Sequence, residues 1–263
     1  MKKIIAIALT ALMLAACLCG CAAGNTKGKL VLGTSADYPP FEFHMLDANG
    51  KDVIVGIDVS VAQKIAEDMG MELEIVDISF DNLLTAMDKG QCDIVIAAME
   101  QDAERDLVAD FSDPYYTDLP PMVLVKAENV EQFTGLDSFA GLTVGAQTGT
   151  TKEDIVTNDL TGAELLSLAA VNDLVNNLVY GKCSALVLDG AVAMKYAETN
   201  VDLVVCEAIS LGEAAPYRVA VKEGDPKGLM ESINKTLAKI LSDGTMDAYI
   251  DQANADSATA LEG

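Results

Sequence analysis

The sequence predicts an α/β protein of two similar halves, each a mainly parallel sheet flanked by helices, and three observations carry that expectation. Apolar runs such as IVIAAM, Ile94–Met99, lack polar alternation, which suits a strand covered on both faces. Two strand–helix–strand units follow one another in the first third of the chain, and such units imply right-handed crossovers within one parallel sheet. The stretch NDLVNNLVYGKCSALVLDGAVAMKYAE then repeats the plan of NLLTAMDKGQCDIVIAAMEQDAER: an amphipathic helix, a glycine, a cysteine, an apolar strand and a polar residue where that strand ends.

The chain opens on Lys2 and Lys3, an apolar core and small residues, the pattern of a secretory signal over residues 1–20. That apolar core is too short and too early to argue for a working transmembrane span. Leu18, Cys19, Gly20 and Cys21 resemble the lipobox of bacterial lipoproteins, which makes Cys21 the expected lipidation site and the new N-terminus of an extracytoplasmic, membrane-anchored protein. A soluble secreted chain cut at another small residue is the alternative. Residues 21–28 form a small-residue tether. Loss of residues 1–20 removes two lysines and no acid, so the net charge goes from −24 to −26 and nucleic acid is disfavoured as a partner. Cys92, Cys183 and Cys206 are an odd number without CxxC spacing, and buried free thiols are expected over a disulfide.

The stretch after Lys29 begins with a strand, Leu30 to Gly33, which Pro39 and Pro40 prevent from continuing. Asn49-Gly50 marks a turn between two extended pieces. A helix follows with Val59, Ala62, Ile65, Ala66 and Met69 on its apolar face, ended by Gly70. Leu83, Leu84 and Met87 define the next helix face, ended by Gly90. In the second half, Leu142–Ala146 reads as a strand, with a helix starting at Thr150 or Thr151, and Val219–Val221 reads as a return strand. A long amphipathic helix, a stop at Gly244, a short second helix and a frayed tail after Asn254 complete the chain.

The chain has only two arginines, Arg105 and Arg218. Arg105 falls in EQDAER, which reads as a loop opening a helix with Asp102 as its N-cap. A cation in a first helical turn opposes the helix dipole, so Arg105 is placed for something other than helix stability. In open parallel sheets ligands bind beyond the carboxyl ends of the strands, which is where Arg105 falls. The alternative is a surface pair with Asp102, Asp106 or Asp110.

Six motifs, GTSADYPPFEF, VGIDVSVAQKIAEDMG, GQCDIVIAAMEQDAER, DFSDPYY, VGAQTGTT and KEGDP, occur in this order between Lys29 and about Gln252. Together they resemble the bacterial extracellular solute-binding proteins of family 3, the amino-acid receptors of ABC importers. The resemblance implies a two-lobed, type II periplasmic-binding-protein-like fold. Lobe one would comprise residues 29–115 and 218–254, lobe two residues 120–212, the hinge residues 116–119 and 213–217, and the tail residues 255–263. It also implies an L-amino acid, of polar character, closed between the lobes. Arg105 would bind its carboxylate with the helix-terminal amides at Thr150 and Thr151, and Asp189 would take its ammonium. N-capping remains the alternative for both threonines and for Asp189. Tyr38 and Phe80 would sandwich the ligand side chain, or else be ordinary core. Ala97 and Ala98 would offer main-chain groups, and Ser35 and Gln147 would meet the side chain.

Two departures from the family pattern bear on the ligand. Glu100 stands where most relatives have Thr or Ser, which puts two acids, Glu100 and Asp189, near one ligand cation; a more cationic ligand or a rotated Glu100 would follow. Ser35 replaces the aspartate of several basic-amino-acid binders, which argues the other way. Arg218 has no account at this level. The partners implied are a membrane permease and its separate ATPase, since the chain has no Walker sequence, and the protein itself is expected to be a monomer without a cofactor. Catalysis is disfavoured: His44 is the only histidine, and no GxSxG or metal cluster is present. A ligand-sensing or adhesion module of the same fold without transport is the rival reading, and a dehydratase-like enzyme a further one.

Overall fold

The computed structural model describes residues 28–260, so the signal segment, Cys21 and nearly all of the tether lie outside the described residues. Two five-stranded sheets organise the chain. In the first, β1 (Lys29–Thr34) lies parallel to β5 (Glu72–Asp77) on one side and to β6 (Ile94–Val95) on the other. Antiparallel β15 (Ala220–Lys222) continues that sheet from β6, and β7 (Ala109–Phe111) closes it. In the second, β10 (Thr143–Gln147) lies parallel to both β11 (Glu164–Leu168) and β12 (Ala185–Leu188). There β9 (Met122–Lys126) runs antiparallel to β12 and to β13 (Leu203–Val205). The two sheets therefore share one pattern of strand directions, and the internal echo in the sequence is a repeat of topology. Each sheet is the centre of one lobe.

Between them, β8 (Tyr116–Thr117) pairs antiparallel with β14 (Pro216–Tyr217), so the chain crosses from lobe to lobe on two short paired strands. Aromatic rings stiffen this crossing: Phe41 meets Tyr217 and Tyr116 edge-on at 5.2 and 5.4 Å between centroids, and Tyr116 stacks on Tyr217. A three-stranded antiparallel piece, β2 (Asp37–Tyr38), β3 (Glu42–Leu46) and β4 (Asp52–Val55), flanks lobe one and carries the exposed His44.

Helix α1 (Ile57–Asp68) buries Ile57, Val61, Ala62, Ile65 and Ala66, so its inner face is set by Val61 where the periodicity suggests Val59 and Met69, both half-buried. The phase is fixed at Gly56: its φ of 131° and a Phe41 carbonyl that would lie 2.1 Å from any Cβ exclude every other residue. After α1, and again after α2 (Leu83–Asp88), the chain closes in one way. Gly70 and Gly90 donate to the carbonyls of Glu67 and Met87, and the next residues, Met71 and Gln91, reach back to Ala66 and Ala86.

In lobe two a one-turn helix, α3 (Thr151–Asp154), passes into a wider turn over Ile155–Asp159. Helix α4 (Val171–Val179) ends through Gly181 and Lys182 by the same glycine closure, and α5 (Gly190–Thr199) follows β12. Helices α6 (Met230–Ser242) and α7 (Thr245–Ala260) return to lobe one against α1. The second helix is longer than expected: it continues past Asn254 to Ala260 with Ala253 and Ser257 buried, because no glycine or proline interrupts that alanine-rich run.

Two further expectations are corrected. The apolar run Ile94–Met99 pairs only at Ile94–Val95, because the backbone turns at Ala98, with φ 46°, to give its N–H to the buried Asp58 carboxylate at 2.6 Å. The helix expected at Arg105 is a single 3₁₀ turn, Arg105–Leu107, since β7 follows at once; Asp102 does cap it, accepting the N–H groups of Glu104 and Arg105. Arg218 now has an account: its Nη1 donates to the Ser112 carbonyl at 2.6 Å, tying the return strand to the segment that leads into the hinge. Cys92, Cys183 and Cys206 are free and buried. Among the described residues no helix is long and apolar enough to cross a membrane.

Candidate functional site

The carboxyl ends of the parallel strands in the two lobes face one another, as the open-sheet rule requires for a ligand site. From lobe one, Ser35 follows β1, Tyr38 lies on β2, Phe80 opens the 3₁₀ turn after β5, and Ala97, Ala98 and Glu100 continue from β6. From lobe two, Gln147 ends β10, Thr150 and Thr151 open α3, and Asp189 sits between β12 and α5. With Arg105, all eleven residues named from the sequence border one cavity. Two more residues border it that sequence reasoning did not name, Glu42 and Lys152.

Arg105 is held on three sides. Its Nη1 donates to the Glu100 carbonyl at 2.5 Å, Nη2 donates across the cleft to the Gly149 carbonyl at 3.0 Å, and Nε lies 3.2 Å from Asp102. The guanidinium rests over the Phe80 ring, 5.4 Å from its centroid. Each terminal nitrogen carries two N–H groups, so these two hydrogen bonds leave one on each for a carboxylate. The surface pair with Asp102 is therefore real, and it orients the guanidinium while leaving donors over.

The threonines and Asp189 are not simple caps. Thr150 Oγ1 donates back to the Gln147 carbonyl at 2.7 Å, and Thr151 Oγ1 donates to Glu100 Oε2 in lobe one. Neither hydroxyl caps α3; the Glu153 amide bonds to the Thr150 carbonyl, while the Thr151 and Lys152 amides that open the helix have no intrahelical partner. Asp189 makes no side-chain cap to α5 either; its Oδ2 accepts the Tyr38 hydroxyl at 2.7 Å, which joins the lobes. Gln147 Nε2 donates to the Ala169 carbonyl at 3.0 Å.

Lys152, 3 % exposed, fills the space between the two acids: its Nζ lies 3.2 Å from Glu100 Oε1 and contacts Asp189 Oδ1. Burial alone would lower its pKa, but Asp189 and then Glu100 outweigh burial and hold it above the ordinary lysine value. The second acid at Glu100 is thus balanced by a lysine of the chain itself. With Lys152 in place, the room for the centre of a water molecule is ≈ 10 Å³, about one water.

A group of desolvated acids adjoins the cavity. Burial raises the Asp58 carboxyl to about 6, partly offset by the Ala98 N–H and the Tyr115 hydroxyl. Burial, then the neighbouring Asp58 charge, pushes Glu42 well above the usual carboxylate range. Asp37 is raised to about 6, again mainly by burial, and accepts the Val171 N–H of lobe two at 2.6 Å. No group of three or more potential metal ligands occurs among the described residues.

Comparison with known proteins shows the family. The model of the bacterial extracellular solute-binding proteins, family 3, matches residues 30–254. The arginine-binding extracellular protein ArtP of Bacillus subtilis is 32 % identical over 251 residues, covering 90 % of this chain and 93 % of its own. The L-cystine-binding protein TcyJ of Escherichia coli is 30 % identical over 224 residues, covering 84 % and 81 %. Among solved structures, the amino acid ABC transporter substrate-binding protein AbpA of Streptococcus pneumoniae, bound to L-arginine, superposes with a TM-score of 0.82 at 33 % identity, covering 88 % of this chain and 96 % of its own. The chain belongs to the bacterial extracellular solute-binding proteins of family 3: it is an extracytoplasmic substrate-binding protein of an ABC amino-acid importer, which holds its ligand between two lobes and does not transform it.

Proposed function

We propose that the ligand is a polar L-amino acid held as a zwitterion across the cleft. Its carboxylate takes the two spare donors of Arg105 in lobe one and the free amides opening α3 in lobe two. Its ammonium takes Asp189, while Lys152 stays on Glu100. Two acids and two cations of the protein then surround a ligand with one charge of each sign. The observation that carries this reading is the convergence of Arg105, the start of α3 and Asp189, from opposite lobes, on one cavity. Tyr38 and Phe80 bound the side-chain end, Ala97 and Ala98 present main chain, and Ser35 and Gln147 meet the side chain. Because the contacts come from both lobes, ligand stabilises the closed form, and that form is what the permease and its ATPase would receive. Lobe one, in this reading, is residues 29–115 and 218–254, and lobe two residues 120–212; Cys21 carries the lipid that anchors a monomer outside the cell membrane.

A thermal-shift screen of the mature domain from Asn25, refolded to strip carried-over ligand, against the common L-amino acids and several dicarboxylates tests this. A ligand that binds only the folded state raises the melting midpoint by mass action. Stabilisation by one or a few amino acids is expected; a flat panel would refute the amino-acid assignment.

A further inference from the structure

We propose that Lys152 is a specificity-determining residue: its ammonium is an internal occupant of the subsite formed by Glu100 and Asp189, and it competes there with the ammonium of the ligand. This inference rests on the amino-acid reading of the cleft.

All four carboxylate oxygens of the subsite already have a protein donor. Glu100 accepts the Thr151 hydroxyl on Oε2 and Lys152 on Oε1; Asp189 accepts the Tyr38 hydroxyl on Oδ2 and Lys152 on Oδ1. The two acids come from different lobes, so Lys152 satisfies the closed cleft as a bound ammonium would. A fully desolvated lysine is costly unless paired, and Glu100 and Asp189 are its ion-pair partners. A ligand ammonium that reaches Asp189 meets the Lys152 charge beside it, and either shares that carboxylate with a like charge or displaces it. A ligand with an oxo or hydroxyl oxygen at the same carbon instead meets a donor, since two contacts leave one ammonium N–H of Lys152 over. Lys152 therefore reduces the advantage that an α-ammonium gives to an amino acid over the acid that lacks it.

The test is calorimetric titration of the refolded mature domain with matched pairs: glutamine, methionine and arginine, each against its own 2-oxo acid. The quantity read is the ratio of the two Kd values, from which any general change in lobe closure cancels. In the wild type the amino acid is expected to be favoured by less than about tenfold, and Lys152→Met is expected to raise that preference by at least about tenfold. Lys152→Met leaves Glu100 facing Asp189 without a cation, so the double variant Glu100→Thr/Lys152→Gln, which removes an acid and the cation together, is measured beside it and should show the same rise. A ratio unchanged within about threefold in both variants would overturn the role of Lys152 and leave the amino-acid reading standing. Failure of every pair to bind the folded wild type and variants would overturn that reading, and the inference with it.

Discussion

Replacing Arg105 with alanine removes the only guanidinium at the cleft, and its cost can be worked from the contacts. The side chain is 10 % exposed, and three of its five donors are used within the protein, so the remaining two are the strongest partners available to a ligand carboxylate. Breaking a buried ion pair by removing one partner costs about 3–5 kcal/mol. At about 1.4 kcal/mol per decade, Kd should rise between about a hundredfold and a few thousandfold. Arg105→Lys keeps the charge and loses the fork, so it should fall between wild type and alanine. Isothermal titration with the best amino acid from the thermal screen measures both. Urea unfolding of the ligand-free variants verifies that the lobes are intact, which matters because Arg105 also spans the cleft to Gly149. Affinity within about threefold of wild type for Arg105→Ala, under roughly 1 kcal/mol, would refute the carboxylate assignment.

Three desolvated acids set a pH dependence. Asp37, Asp58 and Asp118 have folded pKa values near 6 against an ordinary 3.8, so the folded state binds the extra protons. Their contribution is complete below about pH 4 and lost as pH rises through 6, so the melting midpoint of the ligand-free domain should be higher at pH 5 than at pH 7.5. Glu42, raised in the same sense, adds to that slope, and Glu42→Gln should flatten it; an unchanged slope would show that Glu42 ionises freely in the fold. Gly149 has a φ of 78°, and a Cβ there would come within 3.2 Å of Asp81 in the opposite lobe. Gly149→Ala should therefore weaken every ligand by a similar factor, about tenfold, as closure is obstructed. Selective loss of one ligand in titrations of that variant would contradict a closure effect.

Much of the fold is local chemistry that can be read from the chain. Gly70, Gly90 and Gly181 end three helices in one hydrogen-bonding pattern, and in two of them the chain then reaches a buried cysteine and a strand, as the internal echo implied. Arg105 stood out because two arginines in the whole chain make each conspicuous and because a cation opposing a helix dipole needs a reason. What the sequence hid depends on contacts between distant segments. The strand at Ile94 is cut short by a hydrogen bond from Ala98 to Asp58, forty residues away, which no periodicity records. Lys152 looked like one more charge in TKED until the lobes came together and left it between Glu100 and Asp189. Glu42 sits in a hairpin strand, and only tertiary packing, which also brings Asp58 beside it, makes it a buried acid.

A crystal structure of the mature domain with the amino acid that binds most tightly addresses the central claim most directly. The ligand carboxylate is predicted within hydrogen-bonding distance of the Arg105 guanidinium and of an amide opening α3, with its ammonium on Asp189 and Lys152 withdrawn to Glu100. A ligand lying outside the cleft, or one whose carboxylate meets neither Arg105 nor α3, would contradict the account.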